Sequence, residues 1–186
     1  MSARKGEFKR RLLAAFATRL MSVATPYFDI YNAADDTLYM GRDWLMPRWA
    51  LERDPGEDTL KPKRWLPFAL RLHRIERADL DRAFHDHPSS FISLVLTGGY
   101  AERRPTSALP NWRKDGTEDY YTVNRLPGSI ALRRYTDRHR IVSVLPETVT
   151  LVVWFRKRQS WGFFTLLGKV HWQDYESVHN NAPGAG

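Results

Sequence analysis

The chain has 186 residues and a formal net charge of +8; 42% of its residues are hydrophobic, 13% are aromatic and none is cysteine. Such a length and composition describe one folded domain with appendages and exclude a disordered chain. Without cysteine there are no disulfides, thiolate metal ligands or cysteine nucleophile, so any metal must be held by histidine and carboxylate.

Between Met1 and Met21 six basic residues, Arg4, Lys5, Lys9, Arg10, Arg11 and Arg19, accompany a single acid, Glu7. Phe8, Leu12, Leu13, Phe16, Leu20 and Met21 recur near one side at helical spacing, which predicts a basic amphipathic helix within residues 1–25. Three roles compete for it: packing on the rest of the fold or on a second copy, contact with a membrane surface or nucleic acid, and targeting. Arg19 interrupts the apolar stretch and argues against a secretory signal, and no aromatic-basic stacking motif supports nucleic acid. No apolar run approaches the roughly 18–20 residues of a membrane span, so the expectation is a soluble, cytoplasmic protein.

The main domain is expected over residues 26–178. Tyr27 to Tyr31, Leu38 to Met40 and Trp44 to Met46 read as short edge strands around a turn at Asn32–Thr37. Glu52–Lys63, with Asp54-Pro-Gly and Lys61-Pro-Lys, reads as a polar loop, a candidate lid over a barrel. Phe68–Arg77 alternates cleanly and predicts a strand with Ala69, Arg71, His73, Ile75 and Arg77 on one face; His73 is a lesser candidate for the interior. Ala78–Arg82 forms a polar turn.

The next stretch, Phe84 to Tyr100, is the main chemical clue. His85 and His87 are two apart, so on an extended segment both imidazoles leave the same face. Phe91 to Leu96 is apolar and β-prone, and Gly98-Gly99 supplies the turn that ends it. Arg103 to Asp119 is an insertion rich in turn residues, with Trp112 and Arg113 as a candidate pocket rim. Strand character resumes at Tyr120. From Gly128 a second strand leads to His139, followed by the apolar run Ile141 to Leu145. Val149 to Phe155 is the most β-prone run and predicts a buried strand; Trp161 to Phe164 and the segment from His171 follow, and residues 179–186 are expected to be a disordered tail.

The segments Phe84–Tyr100 and Gly128–His139 resemble the two motifs of the cupin superfamily. In that family the first motif is a His-x-His pair followed by a carboxylate, an apolar strand and a glycine, and His85, His87 and Gly98 fall in register with it. The second opens with glycine and reaches its histidine eleven residues later, the spacing from Gly128 to His139. The resemblance implies an all-β double-stranded β-helix, the cupin jelly-roll barrel, with the N-terminal helix appended. It also implies a divalent transition metal, Fe, Ni, Mn, Cu or Zn, held by His85, His87 and His139, with a small-molecule ligand beside it. Several positions depart from the pattern. The family's glutamate would fall on Phe91 or Ile92, and in the second motif Ser129, Arg134, Thr136 and Ser143 replace the usual acid, proline, glycine and asparagine. Glu102 is the nearest carboxylate that can substitute as a fourth ligand, its alternative being a solvated charge beside Arg103 and Arg104. Asp86 and Asp137 are lesser candidates for orienting a ligand.

Three functions follow for such a site. One is a mononuclear metal dioxygenase with Tyr100, Arg134 and Trp161 as substrate contacts and Arg133 or Arg140 as further carboxylate binders. A second is a small-ligand or metal-binding module without turnover. A third is a metal-free sugar isomerase or epimerase pairing His87 with Tyr100 or Tyr135. Dimerisation through edge strands is compatible with all three. No phosphate-cradling glycine loop, dinucleotide fingerprint, serine nucleophile elbow or internal repeat is found.

Overall fold

In the computed structural model, which describes residues 2–31, 36–54, 59–79 and 83–175, thirteen strands and one long helix follow one another along the chain. Helix α1 is Ser2–Met21. The strands are β1 (Thr25–Tyr31), β2 (Leu38–Trp44), β3 (Leu51–Arg53), β4 (Leu60–Pro62), β5 (Phe68–Ile75), β6 (Phe91–Thr97) and β7 (Tyr100–Pro105). They continue with β8 (Tyr120–Arg125), β9 (Ile130–Arg133), β10 (Arg140–Val144), β11 (Thr148–Phe155), β12 (Gly162–Thr165) and β13 (Gly168–His171). The all-β class with an N-terminal helix is as expected from the sequence.

Two sheets carry the fold. The larger has the order β1-β2-β5-β11-β6-β9 and the smaller β10-β7-β8, with every ladder antiparallel. Strand β11, the run richest in β-branched residues, lies in the larger sheet between β5 and β6. Its register places Thr150 opposite His73 on one side and Val95 on the other. Antiparallel partners project to the same face, so Arg71, His73 and Ile75 share a face with Phe91, Ser93 and Val95. This face meets the smaller sheet, where Ile75 and Val95 pack with Tyr100 and Ile141 in a buried cluster.

The opposite face of the larger sheet is covered by α1. Ala17 packs with Leu72, Leu96 and Val149, and Leu13 and Leu20 border the same cluster. The helix thus splits the apolar set that its spacing places near one side. Phe8 is 64% exposed, and Leu12, Phe16 and Met21 also face outward, because the docking stripe is centred on the small residue Ala17. A small side chain lets the helix backbone approach the sheet.

At the tight turn between β6 and β7, Gly98 has φ +61° and Gly99 φ +143°. A Cβ on Gly98 would lie 2.4 Å from Thr148 Oγ1 and 2.7 Å from the Thr148 backbone. The turn therefore requires glycine for both conformation and space.

Two sequence expectations are corrected here. The Glu52–Lys63 segment is a β3–β4 hairpin in which Leu51 pairs with Pro62 and Arg53 with Leu60; Leu51 is buried against Trp44 and Ala69, which anchors what the polar composition hid. The 103–119 insertion is tied down by the buried ion pair Arg138–Glu118 at 2.7 Å, and Trp112 and Arg113 take no part in the cavity described below. The expected tail at 179–186 lies outside the described residues, as do parts of the turns expected at Asn32–Thr37 and Ala78–Arg82.

Candidate metal centre

Backbone pairing brings the two motifs together. The His85 N–H donates to the His139 carbonyl and the His139 N–H to the His85 carbonyl, each at 3.1 Å, a hydrogen-bonded antiparallel pair whose side chains leave the same face. His85 is also bridged to Phe163 of β12, so this single residue links the smaller sheet to the β12–β13 hairpin. His87, two residues on, returns to the face of His85, and its N–H donates to the Tyr135 carbonyl. Asp86 points the other way. It accepts from the Gly162 N–H at 3.0 Å, Gln159 Nε2 at 2.7 Å and Lys169 Nζ at 2.6 Å, so it clamps the neighbouring hairpin and orients no imidazole.

One ring nitrogen from each of His85, His87 and His139 lies within 4.8 Å of the others, and His87 Nε2 is 2.8 Å from His139 Nε2. Burial lowers the pKa of His85 to about 4, with neighbouring His139 adding to the effect and Asp79 and Asp86 opposing it. Burial also holds His87 well below the usual imidazole value, reinforced by its histidine neighbours. Both rings are therefore neutral at pH 7, the state that offers a lone pair to a metal. The Nδ1 atom of His85 is buried without a hydrogen-bond partner. Its nearest carboxylate oxygen, on Asp79, is 4.0 Å away, beyond hydrogen-bond reach. Three imidazole nitrogens this close together fit a divalent ion with bonds of about 2.0–2.1 Å.

Glu102 stands behind this group. Its Oε2 is 2.8 Å from His139 Nδ1, and its Oε1 accepts from Arg125 Nε at 2.8 Å and from the Arg133 guanidinium. The side chain is fully buried, which overturns the picture of a solvated charge beside Arg103 and Arg104. Burial alone would raise its pKa, but the hydrogen bond and charge of His139 and the charge of Arg133 together hold it well below the usual carboxylate range. Because an ionised carboxylate only accepts, His139 Nδ1 donates to Glu102, and its Nε2 faces His87 Nε2. The structure thus places Glu102 as the group that orients His139, with both its oxygens already engaged. Phe91, one of the two positions where the resemblance would put a carboxylate, has its ring 4.9 Å from that of His87 and stacked on that of Trp154 at 5.1 Å.

The imidazoles open on a cavity of about 1300 Å³ between the sheets, lined by Tyr100 and Trp161 as well as by all three histidines. The Trp161 ring is 6.0 Å from that of His85. Burial, then the nearby Glu102 charge, raises the pKa of Tyr100, so its hydroxyl stays protonated. The remaining expectations fare differently. Arg134 is exposed and outside the cavity, because its N–H is bound by Asp137 in a tight turn. Arg133 is committed to Glu102, and Arg140 lies over the Phe84 ring at 5.4 Å. Tyr135 meets His87 through its main chain and does not line the cavity. His73 does line it, outside the three-histidine group. Asp79, missed in the sequence, fixes the approach to His85 by accepting from Tyr39 Oη and the Ile141 N–H; no spacing pattern marks it.

No protein family model matches the chain, and no curated protein does. Solved structures do. The polyketide cyclase RemF from Streptomyces resistomycificus is similar at 15% identity and a TM-score of 0.49, covering 85% of this chain and 89% of that one. The DMSP lyase DddQ from Ruegeria pomeroyi DSS-3 is similar at 14% identity and a TM-score of 0.46, covering 76% and 61%. An Fe(II) form of HppE is similar at 12% identity and a TM-score of 0.44, covering 69% and 56%; this chain thus spans little over half the length of that neighbour. These neighbours are cupin folds.

Proposed function

We propose that this chain is a metal-binding cupin in which His85, His87 and His139 hold one divalent first-row transition ion, and that it is a mononuclear dioxygenase acting on a small organic substrate in the adjoining cavity. The observation that carries the proposal is the convergence of three imidazole nitrogens within 4.8 Å at the wall of that cavity. A bound ion would supply Lewis acidity and, if redox-active, a site for dioxygen. The chain's own residues do the rest. Burial keeps His85 and His87 neutral, Glu102 fixes the ring of His139, and Phe91, Trp154 and Trp161 line the approach with apolar surface that limits water.

The isomerase alternative needs a poised acid–base pair. Of the partners this alternative names for His87, Tyr135 does not line the cavity and Tyr100 does; the metal reading is preferred because three imidazole nitrogens converge within 4.8 Å. The binding-module alternative shares the site and differs only in turnover. Anaerobic reconstitution with Fe(II), followed by oxygen-uptake measurements over a panel of small organic acids, separates them. Substrate-dependent uptake abolished by His139→Ala supports the dioxygenase; metal binding with no uptake on any acid leaves the binding module.

A further inference from the structure

The cavity carries a second chemical feature, distant in sequence from the histidine motifs. On the face of β2 and β5 that looks into it, Arg42 lies directly opposite His73 in the ladder, and Arg71 is two residues before His73 on the same side. Both guanidiniums line the cavity, and among the described residues neither makes a salt bridge. They are supported by rings. Arg71 Cζ is 4.2 Å from the Trp44 ring centroid and 5.0 Å from that of Trp154; Arg42 Cζ is 5.1 Å from Phe28 and 5.4 Å from Tyr27. The Nε atoms of both, and Nε2 of His73, are buried without hydrogen-bond partners. The nearby acids Asp29 and Asp43 are both taken by Arg74, at 3.2 and 3.3 Å.

Elsewhere in the fold a buried guanidinium has its carboxylate: Arg133 holds Glu102, and Arg138 holds Glu118. Two unpaired cations in one pocket are costly to keep unless something anionic completes them. Burial lowers the pKa of Arg71 to about 10, with Tyr27 opposing and Arg42 adding to the shift, so it remains charged at neutral pH. Lys63, Arg64, Arg156 and Lys157 also line the cavity, three of them exposed at its mouth, and give its entrance a field that draws anions inward. Trp154 joins the two ends of the cavity. Its ring is 5.0 Å from the Arg71 guanidinium and 6.3 Å from the His87 ring.

We propose that the cavity binds an organic oxyanion with a flat apolar body, the carboxylate or phosphonate group held by Arg71 and Arg42 and the body lying along Trp154 and Phe91 toward the three histidines. The inference rests on the reading of this cavity as the substrate site and deepens it by naming the substrate class. Arg forks suit either headgroup, since both present two oxygens to parallel N–H donors.

The test is calorimetric titration of the full chain, metal-free and zinc-loaded, with 1-naphthylacetate, 1-naphthylmethylphosphonate and the neutral 1-naphthylacetamide. At least one anion should bind tenfold or more tightly than the amide. Arg71→Met should abolish that preference while changing amide affinity less than threefold, and Arg42→Met should reduce it. The relative strength of the two anions assigns the headgroup. Each variant is checked by near-ultraviolet circular dichroism, and if Arg71→Met does not fold, Arg42→Met and Arg71→Lys carry the comparison. Equal binding of anion and amide, no binding of either anion at millimolar concentration, or an anion preference that survives the arginine variants overturns the inference. Anion preference without zinc binding would instead overturn the metal centre alone.

Discussion

Replacing Glu102 with glutamine removes one charge and almost no volume from the buried network behind the histidines. Glu102 is fully buried and bridges His139, Arg125 and Arg133, and Arg133 is itself only 2% exposed. Breaking a buried pair from one side costs about 3–5 kcal/mol because the remaining ion stays desolvated and unpaired. Arg125 is partly exposed and recovers some hydration, and the carbonyl oxygen of the new amide still accepts a hydrogen bond, so about 3 kcal/mol is expected. At roughly 2–4 °C per kcal/mol for a chain of this size, the melting temperature should fall by on the order of 10 °C. With the amide's single oxygen held by the two arginines, its NH2 faces His139 Nδ1 and cannot accept from it, and loss of such an orienting acceptor typically costs about 10–100-fold in metal affinity. Urea denaturation of the metal-free protein measures the first effect and competitive zinc titration the second. A variant within about 1 kcal/mol of the parent and with unchanged zinc affinity would refute the role assigned to Glu102.

The metal-free protein should lose stability as pH falls below about 6.5. The unfolded chain protonates there while the buried His85 does not until about pH 4; the unfolded state then binds more protons, so stability falls with pH. For His85 this amounts to about 2 kcal/mol by pH 5, with His87 and His73 adding in the same direction because burial depresses both; urea midpoints that stay flat between pH 7.5 and 5 would contradict the burial argument. Gly98→Ala should cost more than about 1 kcal/mol, from positive φ and from the Thr148 contact, and thermal denaturation reads it directly. On α1, Ala17→Leu should destabilise by about 1–3 kcal/mol through overpacking, while Phe16→Ser should change stability by less than about 0.5 kcal/mol; the reverse order would mean that the helix docks by its other side.

Much of this architecture was legible in the chain. Period-two patterning in Phe68–Arg77 marks a strand whose faces the structure bears out over Phe68–Ile75, the β-prone run Val149–Phe155 forms the expected strand, and the resemblance of the two histidine motifs anticipates the convergence of His85, His87 and His139. What was not legible depends on partners remote in sequence. Nothing near Glu102 reveals that Arg133 and His139 will surround it, since two flanking arginines make it look like a solvated charge. The apolar side of α1 was misjudged because six large apolar residues outweighed Ala17 in the pattern, whereas close approach to the sheet favours the small one. The Glu52–Lys63 hairpin was hidden because its strands are short and its anchor, Leu51, lies just outside the polar run. Arg42 and Arg71 were visible as residues, but their lack of acidic partners is a property of the ladder between β2 and β5.

The central claim is that three imidazoles form one metal site, and metal content tests it most directly. The purified protein, as isolated and after anaerobic reconstitution with Fe(II), Mn(II), Ni(II) or Zn(II), would be assayed by elemental analysis beside a His85→Ala, His87→Ala, His139→Ala variant that remains folded by circular dichroism. About one ion per chain in the parent and none in the variant is the predicted result. A parent that retains no metal under any of these conditions, or a variant that retains as much as the parent, would contradict it.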